Sequence, residues 1–372
     1  MKKKLEEKLH KAVEAHKKGF LKEAEIAYNY ILKNDPKCSD ANNNLGLIKV
    51  SNFESIRSLS YFKKAIELNP KKEIFWFNYI SALLNIENYE QAKVILNQCK
   101  GKNFNKKNID YLSSKLITPI GYLDNGKIYQ ANSGNYYDFL RVVHKKKFNV
   151  YFEIGSRTGD SLFLSQSPSI AIDPFYELKK NPIGKKDFCF LFQETSDSFF
   201  KNSFPQINKF KCEFGFIDGM HLFENALRDL INLANISSEK SLILIHDILP
   251  WTFEMATRDY KSLPKGSPWT GDVWKLIPIF IDMGLKDYIK ILNCAPSGLL
   301  AILNPNKKLI DKIENNFNKI YSEWFEIKLD KEKLRDIYNS GIMINPEIFL
   351  KILEKENIGS EMNTESKEWV SH

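Results

Sequence analysis

Seven apolar runs of strand length, separated by segments with helical patterns, occupy the middle of the chain. They lie at residues 150–154, 170–172, 188–192, 214–217, 242–245, 288–292 and 299–303. Strands that alternate with helices predict a mostly parallel sheet. Because parallel sheets bind ligands at the carboxyl ends of their strands, the residues that follow these runs are the first candidates for a functional site.

Small and polar residues follow the first three runs. Residues 153–159 read Glu-Ile-Gly-Ser-Arg-Thr-Gly, and a helix is predicted over residues 159–166. The glycines permit close approach of a ligand, and the start of the helix would offer free N–H groups. Asp173 follows the second run, where a carboxylate can accept both hydroxyls of a ribose. The third run ends in Gln-Glu-Thr-Ser at residues 193–196, which are polar groups suited to an adenine edge.

Ionisable residues follow the next two runs. Asp218 ends the fourth run, and His221 comes three residues later at the opening of a predicted helix. The fifth run ends in His246 and Asp247. Five consecutive strand ends therefore carry groups of the kind that bind ligands.

These strand ends together resemble the class I S-adenosylmethionine-dependent methyltransferases, nearest to the branch of catechol-type and macrocin-type O-methyltransferases. The resemblance covers about residues 135–305 and implies an α/β Rossmann-like sheet with antiparallel sixth and seventh strands. It implies S-adenosylmethionine as cofactor, with the methionine part near Glu153, the ribose on Asp173 and the adenine near Ser196. The full set expected to bind the cofactor is Glu153, Gly155, Ser156, Gly159, Ser161, Asp173, Ser196 and Asp218.

His221 is the predicted general base, with Asp218 as its catalytic companion. In catechol-type relatives a basic side chain occupies the same spacing after the fourth strand. A neutral imidazole is available near pH 7 to take a proton from a hydroxyl acceptor. The alternative is that His221 only caps or packs the start of its helix.

Asp218 and Asp247 are also candidates to share a hard divalent cation such as Mg²⁺. Such a cation would bind the substrate oxygen and lower its pKa. Ile248 stands where catechol-type relatives carry a second Asp or Asn, so Asp272 is a candidate to complete the shell. The alternative is that the two carboxylates hydrogen-bond the cofactor, His221 or backbone without a metal.

Residues 267–275 are rich in Pro, Gly and Trp and are predicted to form a loop over the open end of the sheet. Trp269 is predicted to line the pocket, and Trp274 is predicted to lie in the core. Arg258 and Lys265 are candidates to bind an anionic group of the substrate, although single charges of this kind are usually solvated.

A spacing of 34 residues recurs in the first third of the chain. It relates Asp35-Pro36 to Asn69-Pro70, and Ala24 to Ser58 and Ala92. This period, with its helix-ending Pro, resembles tetratricopeptide repeats over about residues 5–100. The resemblance implies a short helical solenoid whose concave side binds a peptide or another protein. The alternative is that the array only packs on its neighbouring domain or dimerises.

Charge distribution and cysteine spacing argue against nucleic acid as the substrate and against disulfides or a zinc site. The chain has 54 Lys and Arg against 46 Asp and Glu, and residues 1–110 hold the whole excess. Since residues 111–372 have no net charge, nucleic acid is not expected as the substrate. The five scattered cysteines argue against disulfides and zinc. With no apolar run near 18 residues, we expect no membrane span and a cytoplasmic location.

The predicted organisation is multidomain. A tetratricopeptide-like helical region covers residues 1–115, a methyltransferase domain covers residues 116–305, and a helical extension covers residues 306–372 with a flexible tail from Gly359. The extension is expected to pack on the catalytic domain or to make a homodimer contact. The predicted activity is methylation of a hydroxyl on a sugar, a glycan intermediate or a small molecule.

Two other functions compete with this prediction. One is an adaptor whose methyltransferase-like domain is not catalytic. The other is a metal-dependent hydrolase that uses Asp218, His221, His246 and Asp247.

Overall fold

The computed structural model of the chain describes residues 2–86 and 88–361. It divides into two compact units. The first runs from the N-terminal region to Asp138 and includes Asn345–Glu347, and the second comprises Phe139–Ile344 and continues from Ile348.

The first unit is built from consecutive helices, and the first seven each pack against the next. They are α1 (Lys2–Lys17), α2 (Leu21–Asn34), α3 (Ser39–Ser51), α4 (Ser55–Leu68), α5 (Glu73–Asn85), α6 (Tyr89–Lys100), α7 (Lys106–Lys115) and α8 (Pro119–Asp124). Helices α2, α4 and α6 begin 34 residues apart. The prediction of a helical N-terminal region is confirmed.

The small residues that carry the 34-residue spacing lie where these helices touch. Ala24, Ser58 and Ala92 are all fully buried. Helices α2 and α4 end just before Asp35-Pro36 and Asn69-Pro70, because proline disfavours the helical conformation of the residue that precedes it. The helical period read from the sequence therefore matches the packing.

The second unit is an α/β structure around an eight-stranded sheet. Helix α9 (Tyr136–Val143) leads into it. Its strands are β2 (Tyr151–Ile154), β3 (Ser169–Ile172), β4 (Cys189–Phe192), β5 (Cys212–Ile217), β6 (Ser237–His246), β7 (Ile289–Leu292), β8 (Leu299–Leu303) and β9 (Met343–Ile344). The order across the sheet is β4-β3-β2-β5-β6-β8-β7-β9. All seven predicted strands are present, and the α/β prediction is confirmed.

Strand β8 runs antiparallel to both of its neighbours, β6 and β7. The seventh predicted strand is therefore antiparallel as expected, whereas the sixth, β7, runs in the same direction as β6, and the expectation for it is wrong. The other adjacent pairs of this sheet are parallel. Strand order reverses at β2, since β3 and β4 lie on one side of it and β5 and β6 on the other. A parallel sheet opens a ligand crevice at such a reversal, beyond the carboxyl ends of its strands.

The helix predicted over residues 159–166 is wrong. This segment contains only a short 3₁₀ turn, Leu162–Leu164. The Ser165 hydroxyl accepts a hydrogen bond from the Ser167 N–H, and Pro168 follows, so local turn contacts replace helical ones. The N–H groups expected from a helix N-terminus are therefore not supplied here.

Helices cover the sheet and form the C-terminal region. They are α10 (Ser196–Ser198), α11 (Phe223–Asn235), α12 (Leu276–Asp282), α13 (Lys307–Glu314), α14 (Phe317–Trp324), α15 (Lys331–Asn339) and α16 (Pro346–Lys355). Trp274 is fully buried, which confirms its predicted core position. The five cysteines are free.

The predicted flexible tail is wrong at its start. Strand β10 (Ser360–Glu361) pairs with β1 (Lys146–Lys147) in a separate two-stranded sheet, because backbone groups here find ladder partners. The rest of the predicted tail, residues 362–372, lies outside the described residues. Among the described helices, none combines the length and the apolar character needed to cross a membrane.

Candidate active site

The carboxyl ends of β2, β3, β4, β5 and β6 meet at one edge of the sheet, because these five strands are parallel. Glu153 lies at the end of β2, and Asp173 directly follows β3. Asp218 directly follows β5, and Asp247 follows β6. The structure thus brings together residues that are far apart in the sequence.

Gly155 lies where β2 and β5 diverge. Its φ is +91°, and a Cβ at this position would lie 2.1 Å from the carbonyl oxygen of Asp218. Glycine is therefore required here because residue 155 lies against the backbone of Asp218, at the end of the neighbouring strand β5. Gly159 has φ +75°, and there the atom nearest to an added Cβ belongs to the Leu178 side chain.

Glu153 is completely buried at the carboxyl end of β2. Its carboxylate accepts hydrogen bonds from the Tyr151 hydroxyl at 2.6 Å and the Ser161 hydroxyl at 2.7 Å. Burial raises the pKa of Glu153 to about 7, since it disfavours the charged form. Glu153 and Ser161, both predicted to bind the cofactor, hydrogen-bond each other, and their contact with a cofactor stays a prediction.

Asp173 is held by the backbone on both sides. One carboxylate oxygen accepts from the Arg157 N–H at 2.9 Å, and the other accepts from the Phe175 N–H at 2.7 Å. A carboxylate has about four acceptor positions. Two remain for the hydroxyls of a ligand.

Ser196 begins helix α10, and Asp229 of α11 lies beside it. Asp229 is buried, and burial raises its pKa to about 7. One of its carboxyl oxygens has no hydrogen-bond partner among the described residues. Sequence reasoning did not single out Asp229, because an acidic residue in an amphipathic helix normally faces water.

His221 lies between the two carboxylates that end β5 and β6. Its Nε2 atom is 3.3 Å from Asp218 Oδ1, and its Nδ1 atom is 3.2 Å from Asp247 Oδ2. Burial lowers the pKa of His221, but the hydrogen bond to Asp218 and the charge of Asp247 outweigh it and raise the pKa above its ordinary value. His221 thus lies beside Asp218, and the catalytic role of the two residues stays a prediction.

His246 is buried against the same carboxylates. Its Nδ1 atom lies 3.2 Å from Asp218 Oδ1, and its Nε2 atom lies 3.3 Å from the Ser297 hydroxyl. That hydroxyl donates its proton to Asp247 at 2.5 Å, so it can only accept from Nε2 of His246. Both ring nitrogens of His246 therefore face acceptors, an arrangement that favours the imidazolium.

The surrounding charges agree with this protonation. Burial lowers the pKa of His246, but Asp247 and Asp218 outweigh it and raise the pKa to about 10. Burial raises the pKa of Asp218, and the two histidines reverse this and hold it well below its usual range. The His246 cation therefore balances one of the two carboxylates.

Donor atoms of Asp218, His221 and Asp247 lie within 4.8 Å of one another, which is a spacing that suits a single cation. Carboxylate oxygens are the ligands that Mg²⁺ prefers. Asp272 does not join them, because its carboxylate is bonded to the Phe223 N–H, to Arg258 and to Lys275. The suggestion that Asp272 completes a metal shell is wrong.

Trp269 packs directly on His221. The two rings are stacked with centroids 5.1 Å apart, and the Trp269 carbonyl oxygen lies 3.1 Å from His221 Nδ1. Tyr260 contacts Trp269 at a centroid distance of 5.3 Å. The loop of residues 267–275 therefore reaches the candidate base.

Arg258 is not available for a substrate anion. Its guanidinium donates to Glu224 and Asp272, and its position over the Phe325 ring closes one face. Sequence reasoning missed this network of Arg258, Glu224, Asp272 and Lys275. The sequence feature that could have indicated this network is the pair Asp272 and Lys275, spaced three residues apart in an otherwise apolar segment.

No family model matches the chain, and no curated protein matches it. Solved structures with some likeness include a mutant of the Thermobaculum terrenum O-GlcNAc transferase, 13% identical with a TM-score of 0.29, where the match covers 57% of this chain and 45% of that one. Another is a Klebsiella pneumoniae protein provisionally named an O-methyltransferase, 16% identical with a TM-score of 0.30, covering 52% of this chain and 95% of that one. This chain thus spans less than half the length of the first structure. Neither likeness is strong enough to define a function.

Proposed function

We propose that the second unit is an S-adenosylmethionine-dependent O-methyltransferase. The observation that carries the proposal is the meeting of Asp173, Asp218 and His221 at the edge where the strand order reverses. Methyl transfer to a hydroxyl needs a carboxylate for the ribose and a general base close together, and Asp173 and His221 are the residues that we assign to these two roles.

The polar groups around the crevice fit the cofactor. Asp173 has acceptor positions left for the ribose hydroxyls, and Ser196 lies at the end of the neighbouring strand, on the adenine side. The Tyr176 hydroxyl is buried near the end of β4, where the Phe192 backbone lies beside it. The Ser156 hydroxyl is buried near Glu153 and favours the charged form of the Glu153 carboxylate. Its distance and angles do not meet those of a hydrogen bond. When bound, S-adenosylmethionine supplies an already activated methyl group.

His221 is arranged to take the proton of the acceptor hydroxyl. A carbonyl oxygen only accepts hydrogen bonds, so the Trp269 carbonyl favours the neutral His221 ring that carries its proton on Nδ1. In the neutral ring, Nε2 is then the basic nitrogen. Asp218 lies 3.3 Å from Nε2 and stabilises the imidazolium that forms when His221 receives the proton.

Asp218 and Asp247 are the residues that would hold Mg²⁺ as oxygen ligands. Such a cation would lower the pKa of a bound hydroxyl. His246 Nδ1 lies 3.2 Å from Asp218 Oδ1 and 3.4 Å from Asp247 Oδ1, so its imidazole contacts both of these carboxylates.

The acceptor we propose is a hydroxyl on a sugar, a glycan intermediate or another small molecule without an anionic group beside the reacting oxygen. Trp269 and the exposed Tyr260 provide aromatic surface near His221. Arg258, one of the two basic side chains that the sequence suggested for an anionic group, is already paired with Glu224 and Asp272. The first unit, with its 34-residue helical period, is proposed to bind a protein partner as a tetratricopeptide-like array.

Calorimetry on the full chain tests the proposal. We expect S-adenosylmethionine and S-adenosylhomocysteine to bind at one site, and Asp173→Asn to weaken both. Transfer of a labelled methyl group to a panel of sugars, glycans and small-molecule alcohols then identifies the acceptor. A wild-type chain that binds neither compound contradicts the proposal, and one that binds without any transfer favours the adaptor alternative.

The cluster of Asp218, His221 and Asp247 also favours a second candidate, a metal-dependent hydrolase. In that case His221 is a metal ligand and is not free to act as a base. Hydrolysis of ester or phosphoester substrates with Mg²⁺ or Zn²⁺ and no added cofactor distinguishes this function. If the second unit is a methyltransferase, Asp218, His221 and Asp247 should support no metal-dependent hydrolysis of these substrates.

A further inference from the structure

The backbone of His221 is held in an unusual conformation by a distant loop. Its φ is +55°, in the left-handed region that costs a residue with a Cβ about 1 kcal/mol or more. The Asp272 N–H donates a 3.1 Å hydrogen bond to the His221 carbonyl oxygen. Gly271 packs so closely that a Cβ there would lie 1.8 Å from that oxygen. Residues 271 and 272 therefore restrain the candidate base directly.

The Asp272 side chain restrains the same turn from its other side. Its Oδ1 accepts a 2.9 Å hydrogen bond from the N–H of Phe223, the first residue of α11. Leu222, at the N-cap of that helix, has no side-chain oxygen to do this. Asp272 thus binds both ends of the three-residue turn that carries His221.

Asp272 is fixed in turn by two cations. Its Oδ2 accepts from Arg258 at 2.6 Å and from Lys275 at 2.8 Å. Arg258 also forms a pair with Glu224. Lys275 is completely buried, and Asp272 and Glu224 are nearly so. Two acidic and two basic side chains balance each other under the turn.

Such a buried network is poorly explained by stability alone. Replacement of buried ion pairs by apolar residues is often neutral or stabilising, because removing charges from water is costly. The network does have a geometric effect, since it fixes the one carboxylate that holds the His221 turn. Fixed geometry matters at a catalytic base, where a displacement of about 1 Å costs about 100-fold in rate.

We propose that Asp272, held by Arg258 and Lys275, is a positioning residue that fixes the turn of residues 221–223 and directs Nε2 of His221 toward the acceptor hydroxyl. The inference rests on the proposed function, in which His221 is the general base.

The first test observes His221 without requiring turnover. The full chain, labelled with ¹⁵N in its histidine rings, gives long-range proton–nitrogen spectra at a fixed pH of about 7. The His221 signals are assigned as those lost in His221→Gln. In Asp272→Asn we expect the Nδ1 proton that bonds the Trp269 carbonyl to shift or to exchange away, while the ring signals of His10 stay in place.

Two further variants separate positioning from folding. Asp272→Asn leaves a surplus buried cation, so the double variant with Lys275→Met restores charge balance under the turn. We expect the double variant to recover thermal stability and still to show the altered His221 signals. Lys275→Met alone keeps the Asp272 carboxylate on Arg258, and its His221 signals should stay close to those of the wild type.

Kinetics give the second readout. With an identified acceptor, Asp272→Asn and the double variant should lower kcat about 100-fold with KM unchanged, and cofactor affinity should be retained. Unaltered His221 signals in both variants would overturn the inference whatever the activity. Altered signals in a chain whose wild type transfers no methyl group would support positioning and reject the proposed function.

Discussion

The carbonyl oxygen of Trp269 lies 3.1 Å from Nδ1 of His221, a residue 48 positions earlier in the chain. Asp247 Oδ2 lies 3.2 Å from the same nitrogen, so both contacts favour a proton on Nδ1, and Nε2 lies beside Asp218. The Trp269 indole also covers one face of the imidazole, so this residue restrains the ring with both its backbone and its side chain. Of the two histidines at this edge, His221 is the one that we propose as the general base.

Replacement of His221 by Gln should abolish most of the methyl transfer. We expect kcat to fall by about 10²–10⁴-fold, the usual contribution of a positioned general base. Binding of S-adenosylmethionine, measured by calorimetry, should persist, because Asp173 and the turn of residues 155–159 after β2 are unchanged.

The matched control for this change is His10→Gln, since His10 is exposed on α1 in the first unit. It should turn over like the wild type. Full activity in His221→Gln would remove His221 as the base.

Asp173→Asn should weaken the cofactor. The amide keeps one acceptor oxygen and loses the charge, and hydrogen bonds to charged groups contribute about 1.5–3 kcal/mol. We therefore expect Kd to rise roughly 10- to 100-fold in calorimetry. Asp187→Asn is the control, because Asp187 is exposed before the amino end of β4, away from the crevice. An equal loss of affinity in both variants would reject a ribose-binding role for Asp173.

The residues that sequence reasoning placed at one edge are those whose position follows from strand direction alone. Asp173, Asp218 and Asp247 each follow a parallel strand, so the sheet brings them together whatever the loops do. The predicted helix at residues 159–166 failed for a local reason, since its serines and Pro168 favour turns. The contact of Asp272 with the start of α11 could not be predicted from the sequence. It depends on how a long loop folds back to a residue 49 positions earlier in the chain.

Metal dependence has a direct test. If Asp218 and Asp247 hold Mg²⁺, chelation with EDTA should remove most of the methyl transfer, and added Mg²⁺ should restore it. Direct titration with Mn²⁺, followed by electron paramagnetic resonance, should show one site in the wild type and none in Asp247→Asn. Activity that survives chelation in full, with no Mn²⁺ site, would show that the His246 cation suffices to balance the carboxylates.

Gly155→Ala should destabilise the second unit strongly. The added Cβ would collide with the Asp218 carbonyl, and the left-handed backbone at this position is itself unfavourable for alanine. We expect the free energy of unfolding to fall by about 3 kcal/mol or more, measured by urea denaturation. Gly184→Ala is the control, because Gly184 also has positive φ but nothing within 4 Å of an added Cβ. Its loss should be about 1 kcal/mol, the conformational cost alone. Equal losses of stability in the two variants would show that the contact between residue 155 and the Asp218 carbonyl does not require glycine.

Asp229 gives the protein a pH-dependent stability that can be isolated by mutation. Burial raises its pKa from 3.8 to about 7, so the folded state binds a proton more tightly than the unfolded state does. This contribution is fully present below pH 4 and is lost as pH rises toward 7, where the folded chain must carry a buried charge. Asp229→Asn removes that charge. Relative to the wild type, its free energy of unfolding should therefore rise between pH 4 and pH 8, by up to about 4 kcal/mol. Urea denaturation of both proteins across this range measures the difference, with Asp187→Asn as the exposed control. A difference that does not change with pH would mean that Asp229 ionises freely in the folded chain.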